Sequence, residues 1–384
     1  MDLFNCGLDF PSEILCQIII NADYLALHAL LSLNKTTNKL ALMIVKDFTK
    51  YVYDIVKYKT KLNINNFNAK QLWHLNIVCD TQIMCHLHND TTLILKDDIL
   101  YYNDPKSDKS TEKIMENLNN IIQIDSNSFN KYVLDNKGSV YLVGTEDDPT
   151  FKITYLSKLL NLPDNIIQIS IGNREQLILT SGGKVYSIIL CNGSEFGGPI
   201  LIEELNNITH ISCKGSEHIA ITHDGLIFAR VLDLVIAMKL DIPYDSTKYI
   251  KIEKYKDIIN ACTSNDHTLL LDKHGNVHSF GSSNLGYKYP QEKLILRNII
   301  QISAGNQTSL CLSNNGRVYS FGINENNALG HEYIYEVQQP RLIYNLNNII
   351  YVRSSTERSL FINTNYDIYQ TWKHNLFRFK KIIL

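Results

Sequence analysis

Histidines, cysteines and paired carboxylates are the side chains of this chain that could do chemistry. Their spacing argues against most of it. His86 and His88 form a His-x-His pair, which on a strand would put two imidazoles on one face, as a zinc site needs, but no third ligand is identifiable beside them. His218 and His267 could each ligate a metal in isolation. The eight cysteines (Cys6, Cys16, Cys79, Cys85, Cys191, Cys213, Cys262 and Cys311) contain no Cys-x-x-Cys pair. Cys213, Cys262 and Cys311 each sit inside a strand-like apolar run, the setting of a buried free thiol in a reducing compartment; an intracellular location, cytoplasmic or nuclear, is therefore expected. Asp97-Asp98 and Asp147-Asp148 fall in turn-like stretches and read as solvated turn residues, not as an acid/base couple. Phosphate-cradling Gly-x4-Gly-Lys-Ser/Thr, nucleophile-elbow Gly-x-Ser-x-Gly and zinc-protease His-Glu-x-x-His motifs are absent from the sequence. The expectation is a protein with no catalytic residues, no metal and no cofactor.

The elements that would position such residues are repeats. Six segments share one lead: Asn120-Ile-Ile-Gln-Ile, Asn165-Ile-Ile-Gln-Ile, Asn207-Ile-Thr-His-Ile, Asp257-Ile-Ile-Asn-Ala, Asn298-Ile-Ile-Gln-Ile and Asn348-Ile-Ile-Tyr-Val. A seventh, poorer copy runs from Ile83 through Thr92–Asp97 to Tyr102. Units of about 40–50 residues suit propeller blades rather than helical solenoids. Each is written in strand grammar. An alternating apolar strand is followed by a second strand, then a tight turn such as Asp224-Gly225, His274-Gly275 or Asn315-Gly316, then a third strand. One copy cannot bury both of its faces, so neighbours must stack, and radial closure protects the sheet edges. The fold class expected is mostly β, a seven-bladed β-propeller over residues 76–384. The C-terminal Asn375–Leu384 resembles Gln338–Ile343, so it is expected to close the ring by completing the blade begun near residue 83.

Composition is ordinary: 384 residues, 45% hydrophobic and 20% charged. With 37 basic and 39 acidic residues the net charge is −2, which gives no electrostatic reason for nucleic-acid or membrane binding. No run of 18 apolar residues marks a membrane span, and Met1–Phe10 lacks the basic start of a signal peptide.

The unit resembles the regulator-of-chromosome-condensation repeat, whose pattern has a Gly after the first strand, His-Thr, a Gly turn, Val-Tyr-x-Trp-Gly and a Gly-x-Asn-x4-Leu-Gly loop. The fullest copy keeps Gly305, Gly316, Val318, Tyr319, Phe321, Gly322, Asn324, Leu329 and Gly330. The unit before it keeps His267, Thr268, Gly275, Val277, Phe280, Gly281 and Asn284, and the one before that keeps Gly215, His218 and Gly225. Gly138, Gly172 and Gly183 take the corresponding places further upstream. The resemblance implies that these are structural positions, with His218 and His267 packing between blades rather than binding metal.

Upstream, residues 1–50 read as a small all-α domain and 51–75 as a helical connector. Pro11 suits a first helical position with Glu13 in the first turn, and Ile14, Leu15, Ile18 and Ile19 share a face. This stretch is similar to an F-box, with Leu30, Leu33 and Leu40 on its later apolar positions; Phe10, Ala22 and Thr37 depart from the pattern. The resemblance implies docking of a Skp-type adaptor of a cullin–RING ubiquitin ligase through Pro11, Ile14, Leu15, Ile18, Leu30 and Leu33. The propeller would then hold an unknown protein target close to the ligase, raising its effective concentration. The alternatives are a guanine-nucleotide exchange factor for a Ran-type small GTPase, and a propeller scaffold whose N-terminal helices are only a cap.

Overall fold

The computed structural model describes residues 84–382, apart from loop segments of which 231–247 and 282–292 are the longest. The described residues form antiparallel sheets, nearly all four-stranded and ordered as simple meanders. In the best-defined blade, Ile299–Ala304, Thr308–Ser313, Val318–Ile323 and Glu336–Leu342 pair in sequence order. The second strand is covered on both faces by neighbouring sheets, so all six of its residues are buried, including Leu310, Cys311 and Leu312. That is why these second strands read as continuous apolar runs rather than as an alternation.

Six blades are built on the repeat, and their first strands are Ile121–Ser126, Ile166–Ile171, Ile208–Lys214, Ile258–Thr263, Ile299–Ala304 and Ile349–Ser354. Packing is radial: apolar side chains of one blade meet those of the next. Leu269, Leu271 and Val277, for example, pack with Ile302, Phe321 and Val337. Phe280, Phe321 and Phe361 are among the largest fully buried side chains.

One local device joins these blades in sequence. The residue before each lead isoleucine adopts a left-handed conformation at Asn207 (φ 55°), Asp257 (φ 61°), Asn298 (φ 59°) and Asn348 (φ 55°). Asn and Asp tolerate this region better than other side-chain-bearing residues. The preceding blade's turn glycine lies directly over that residue. At Gly225 (φ +74°), a Cβ would stand 2.7 Å from the Asp257 Cα, and the Gly225 carbonyl accepts a hydrogen bond from the Ile258 N–H at 3.2 Å. The same bond recurs from Ile208 to Gly183, Ile299 to Gly275 and Ile349 to Gly316. The turn therefore needs glycine for two reasons, its positive φ and the close approach of the next blade's backbone.

The expected fold class needs correction. The repeat builds six blades, not seven, and no α-helix occurs among the described residues. The poorer copy near residue 83 forms a further four-stranded sheet, Met84–His88 to Glu112–Met115, which lacks both the Asn-Ile-Ile lead and the glycine turn. Its first strand lies against Ile121–Ser126 on one side and Ile349–Ser354 on the other. Closure also differs from expectation. Phe379–Ile382 pairs with Ile368–Thr371 of its own blade, while the Met84–Met115 sheet takes Glu112–Met115 as its fourth strand. A short connection within a blade costs less chain entropy than pairing with a strand some 280 residues away. The segments expected to be helical, 1–50 and 51–75, lie outside the described residues. No helix among the described residues is long and apolar enough to cross a membrane.

Candidate functional site

The first strands of the blades line a central channel with a cavity of about 180 Å³. At the fourth residue of the lead, amide side chains reach across to the next blade. Gln301 Nε2 donates to the Val352 carbonyl at 3.1 Å while its Oε1 accepts from the Val352 N–H at 3.0 Å. Gln123 does the same to Ile169 (2.6 and 2.9 Å) and Gln168 to Ile211 (3.0 and 2.9 Å). Each glutamine thus satisfies a backbone donor and acceptor that would otherwise face the channel. Two residues on, hydroxyls repeat the link. Ser170 accepts from Cys213 N–H at 2.8 Å, Ser212 from Thr263 N–H at 2.9 Å and Ser303 from Ser354 N–H at 2.9 Å. These equal offsets put the first strands in register around the channel, so residues late in each strand meet at one end.

At that end stand Asp125, Lys214 and Arg353, from three different blades. Asp125 accepts from the Ile171 N–H at 3.0 Å and from its neighbour Ser126 at 2.9 Å, and Arg353 Nη2 lies 3.5 Å from its Oδ1. Burial pushes the Asp125 carboxyl above its ordinary range, against the opposing pull of Arg353 and Lys214. Burial likewise lowers the Lys214 ammonium; Asp125 opposes the shift and Arg353 adds to it.

We expect Gln301→Ala to lower stability by about 1 kcal/mol. It leaves the Val352 amide and carbonyl without their partner, but beside a channel where water can reach them. Gln301→Glu should cost more, because its carboxylate would face the Val352 carbonyl. Urea midpoints of the two variants check the order.

A second polar cluster lies between the Ile166 and Ile208 blades. Glu175 receives a hydrogen bond from Arg230 and another from Ser187 Oγ at 2.5 Å. The Arg230 guanidinium also lies against the His218 ring, 2.9 Å from Nδ1, and over the Tyr249 ring at 5.5 Å. His218 Nδ1 is 2.8 Å from the Tyr249 hydroxyl. Burial would raise the Glu175 carboxyl, but Arg230, His218 and Ser187 together hold it below its ordinary value. His218 is lowered to about 4 by burial and by Arg230.

His267 lies in the strand His267–Asp272, buried, with Nδ1 2.8 Å from Ser264 Oγ and Nε2 2.7 Å from Ser309 Oγ of the next blade. Both histidines of the repeat pattern therefore touch a neighbouring blade, as Glu175 lies 3.7 Å from His218. Gly138, Gly183, Gly225, Gly275, Gly316, Gly322 and Gly330 have positive φ. Gly172 and Gly305 donate to the carbonyls of Glu175 and Thr308 in the tight turns after the first strands, and Gly281 ends the strand that begins at Val277. Gly215 and the F-box-like Pro11, Ile14, Leu15, Ile18, Leu30 and Leu33 lie outside the described residues. Cys213, Cys262 and Cys311 are free thiols, and burial raises all three, Cys262 to about 11. Among the described residues no group of three or more His, Cys, Asp or Glu side chains could hold a metal ion.

Sequence reasoning missed the bridging glutamines and the Asp125–Lys214–Arg353 group. The glutamines had a visible signal, since Gln recurs three residues after the lead Asn at 123, 168 and 301. Asp125 and Arg353 have none, being 228 residues apart.

Comparison with known proteins agrees with the repeat architecture. Residues 299–328 and 315–362 match family models described as regulator of chromosome condensation (RCC1) repeat. Among solved structures, Prp20p from Saccharomyces cerevisiae, described with its binding properties to Gsp1p and histones, is 16% identical with a TM-score of 0.58, over 73% of this chain and 82% of that one. Human WBSCR16 is 15% identical with a TM-score of 0.60, over 74% of this chain and 88% of that one. Yeast RCC1 (Prp20) in complex with Kap60 is 16% identical with a TM-score of 0.59, over 73% and 79%. At such identities the likeness is one of fold. No curated protein matches in sequence.

Proposed function

We propose that this chain works by binding a protein partner through an RCC1-repeat propeller and carries out no chemistry of its own. The observation that supports it most is the use made of the polar interior. The glutamines, serines and repeat histidines spend their polar atoms on holding blade to blade. Exposed apolar side chains offer contact surface elsewhere. Ile189, Ile200 and Leu201 are each exposed on the outer strands of the Ile166 blade, where Ile200 pairs with Ser187 and Leu201 with Tyr186.

The finer reading is a substrate-recruiting subunit of a cullin–RING ubiquitin ligase. It rests on the F-box-like residues Pro11, Ile14, Leu15, Ile18, Leu30 and Leu33. Helix-face recognition of a Skp-type adaptor would join an otherwise passive target-holding propeller to the ligase. Co-purification of the full chain with Skp-type adaptors tests it. Capture by the wild type should be lost in an Ile14→Asp/Leu15→Asp variant whose β circular dichroism is unchanged. Capture by neither, with several adaptors, would sink this reading.

The fold of Prp20p, described with its binding to Gsp1p, favours a second reading, an exchange factor for a Ran-type GTPase. Its test is release of labelled GDP from Ran. Acceleration by catalytic amounts of the chain supports exchange activity, and an unchanged release rate removes it.

A further inference from the structure

The turn between Thr308–Ser313 and Val318–Ile323 joins an exposed asparagine, Asn315, to Gly316. Such a pair carries its own reaction. The glycine nitrogen attacks the asparagine Cγ, the C–N bond of the side-chain amide breaks, and ammonia leaves with the nitrogen's proton. Water then opens the succinimide at either carbonyl, giving aspartate or isoaspartate. Nothing is oxidised or reduced, and water is the one co-reactant. Glycine favours the attack because no side chain shields its nitrogen.

The turn withholds both reacting groups. The Gly316 N–H donates to the Ser313 carbonyl at 3.0 Å. Ser313 Oγ holds Asn315 Oδ1 at 2.5 Å and accepts from the Arg317 N–H at 3.2 Å. Nucleophile and side-chain amide are each committed to Ser313, so a near-attack arrangement requires the turn to open. The next blade adds a second restraint. The Gly316 carbonyl accepts from the Ile349 N–H at 3.0 Å, and a Cβ on Gly316 would stand 3.0 Å from the Asn348 Cα. The two products fit this turn differently. Asp224 holds the same place before Gly225 with its side chain exposed, so an aspartate at 315 suits the turn. Isoaspartate inserts a methylene into the main chain between residues 315 and 316, which moves Gly316 away from the Ile349 N–H.

We propose that Asn315 is a site of spontaneous deamidation gated by this turn. The folded blade suppresses the reaction, each opening of the turn permits it, and the isoaspartate product weakens the boundary between the Ile299 and Ile349 blades. The site needs water and no enzyme, and it is independent of the protein-binding reading above.

Peptide mapping by mass spectrometry of the full chain at pH 8, folded and in denaturing urea, tests it. Asn315 should convert about tenfold or more slowly in the folded chain than in urea. Ser313→Ala should speed the folded reaction severalfold and leave the rate in urea unchanged. Equal rates for the wild type in the two conditions, no conversion in either, or an unchanged folded rate in Ser313→Ala would overturn the proposal. The wild-type comparison needs no variant, so it stands even if Ser313→Ala fails to fold. Asn315→Asp should keep the wild-type urea midpoint, and the isoaspartate fraction, separated by chromatography, should show a lower one. A wild-type midpoint for the isoaspartate fraction would overturn the effect on the blade boundary.

Discussion

Gly305→Ala is expected to lower stability by about 3 kcal/mol or more, read as a fall in the urea midpoint with little change in the slope of the transition. The cause is steric, not conformational. A Cβ on Gly305 would stand 2.0 Å from the Ser355 carbonyl oxygen, 2.3 Å from Thr308 Oγ1 and 2.7 Å from Ser354 Oγ. None of these atoms can yield alone. Thr308 Oγ1 is bonded to Ser354 Oγ at 2.5 Å and donates to the Ser355 carbonyl at 3.2 Å, and the Ser354 N–H is tied to Ser303. The Gly305 N–H donates to the Thr308 carbonyl at 2.7 Å, so the backbone is held as well. Making room for one methyl group therefore means separating two blades at the lip of the channel. Gly198 supplies the control. A methyl group placed on its Cα would meet nothing within 4 Å, so Gly198→Ala should stay within about 0.5 kcal/mol of wild type. Similar midpoints for both variants would show that the close contact at Gly305 is not present in solution.

That glycine was legible in the repeat, and its reason was not. The lead Asn, the Ile-x-Ile alternation and the Asp-Gly and Asn-Gly turns announced strands, hairpins and stacked blades, because turn chemistry is local and each copy repeats it. Asn298 and Gly275 both have positive φ and meet across a blade boundary, yet each signal is local to its own unit of sequence. Closure had no such signal. The apolar pattern of Phe379–Ile382 fits any open sheet edge, and its partner was decided by the short return from Ile368–Thr371. The pattern near residue 83 announced strands there too. That stretch lacks the lead Asn and the glycine turn, but the Ile349 blade also turns without glycine, through Asn363-Thr-Asn-Tyr-Asp367, so the missing glycine alone did not separate a seventh repeat from a plain sheet. The polar assemblies were hidden too. Glu175 and Arg230 are 55 residues apart and meet only because adjacent blades face each other. The channel glutamines are the intermediate case. Their spacing from the lead Asn was visible, but their task became clear only once the next blade's backbone stood within reach.

Stability is expected to fall steeply as pH drops from about 6.5 towards 4, because two buried histidines fold as neutral rings. Burial lowers His267 to about 3, and burial with the Arg230 guanidinium lowers His218 to about 4, each from an ordinary 6.5. The sign follows from proton counting. Above pH 6.5 neither state binds these protons, and the full stability is present. As pH falls below 6.5 the unfolded chain takes up two protons that the folded chain refuses. The free energy of unfolding then decreases by up to about 3 kcal/mol per pH unit, until the folded-state values are reached. Below pH 4.5 the depressed Glu175 carboxyl adds to the loss, since its contribution disappears as pH falls through its folded value. Asp125, raised on folding by burial, works the other way, since its folded form takes up a proton that the unfolded chain does not. Urea titrations at pH 7.5, 6.5, 5.5 and 4.5 measure the slope, and a flat profile between 6.5 and 4.5 would refute it. His267→Gln assigns it. The variant should be less stable at pH 7.5, because Ser264 and Ser309 lose the ring that joins them across the blade boundary. It should also lose about half the pH dependence, leaving the share carried by His218. A variant that is destabilised but keeps the full slope would show that the sensitivity to acid belongs to other groups.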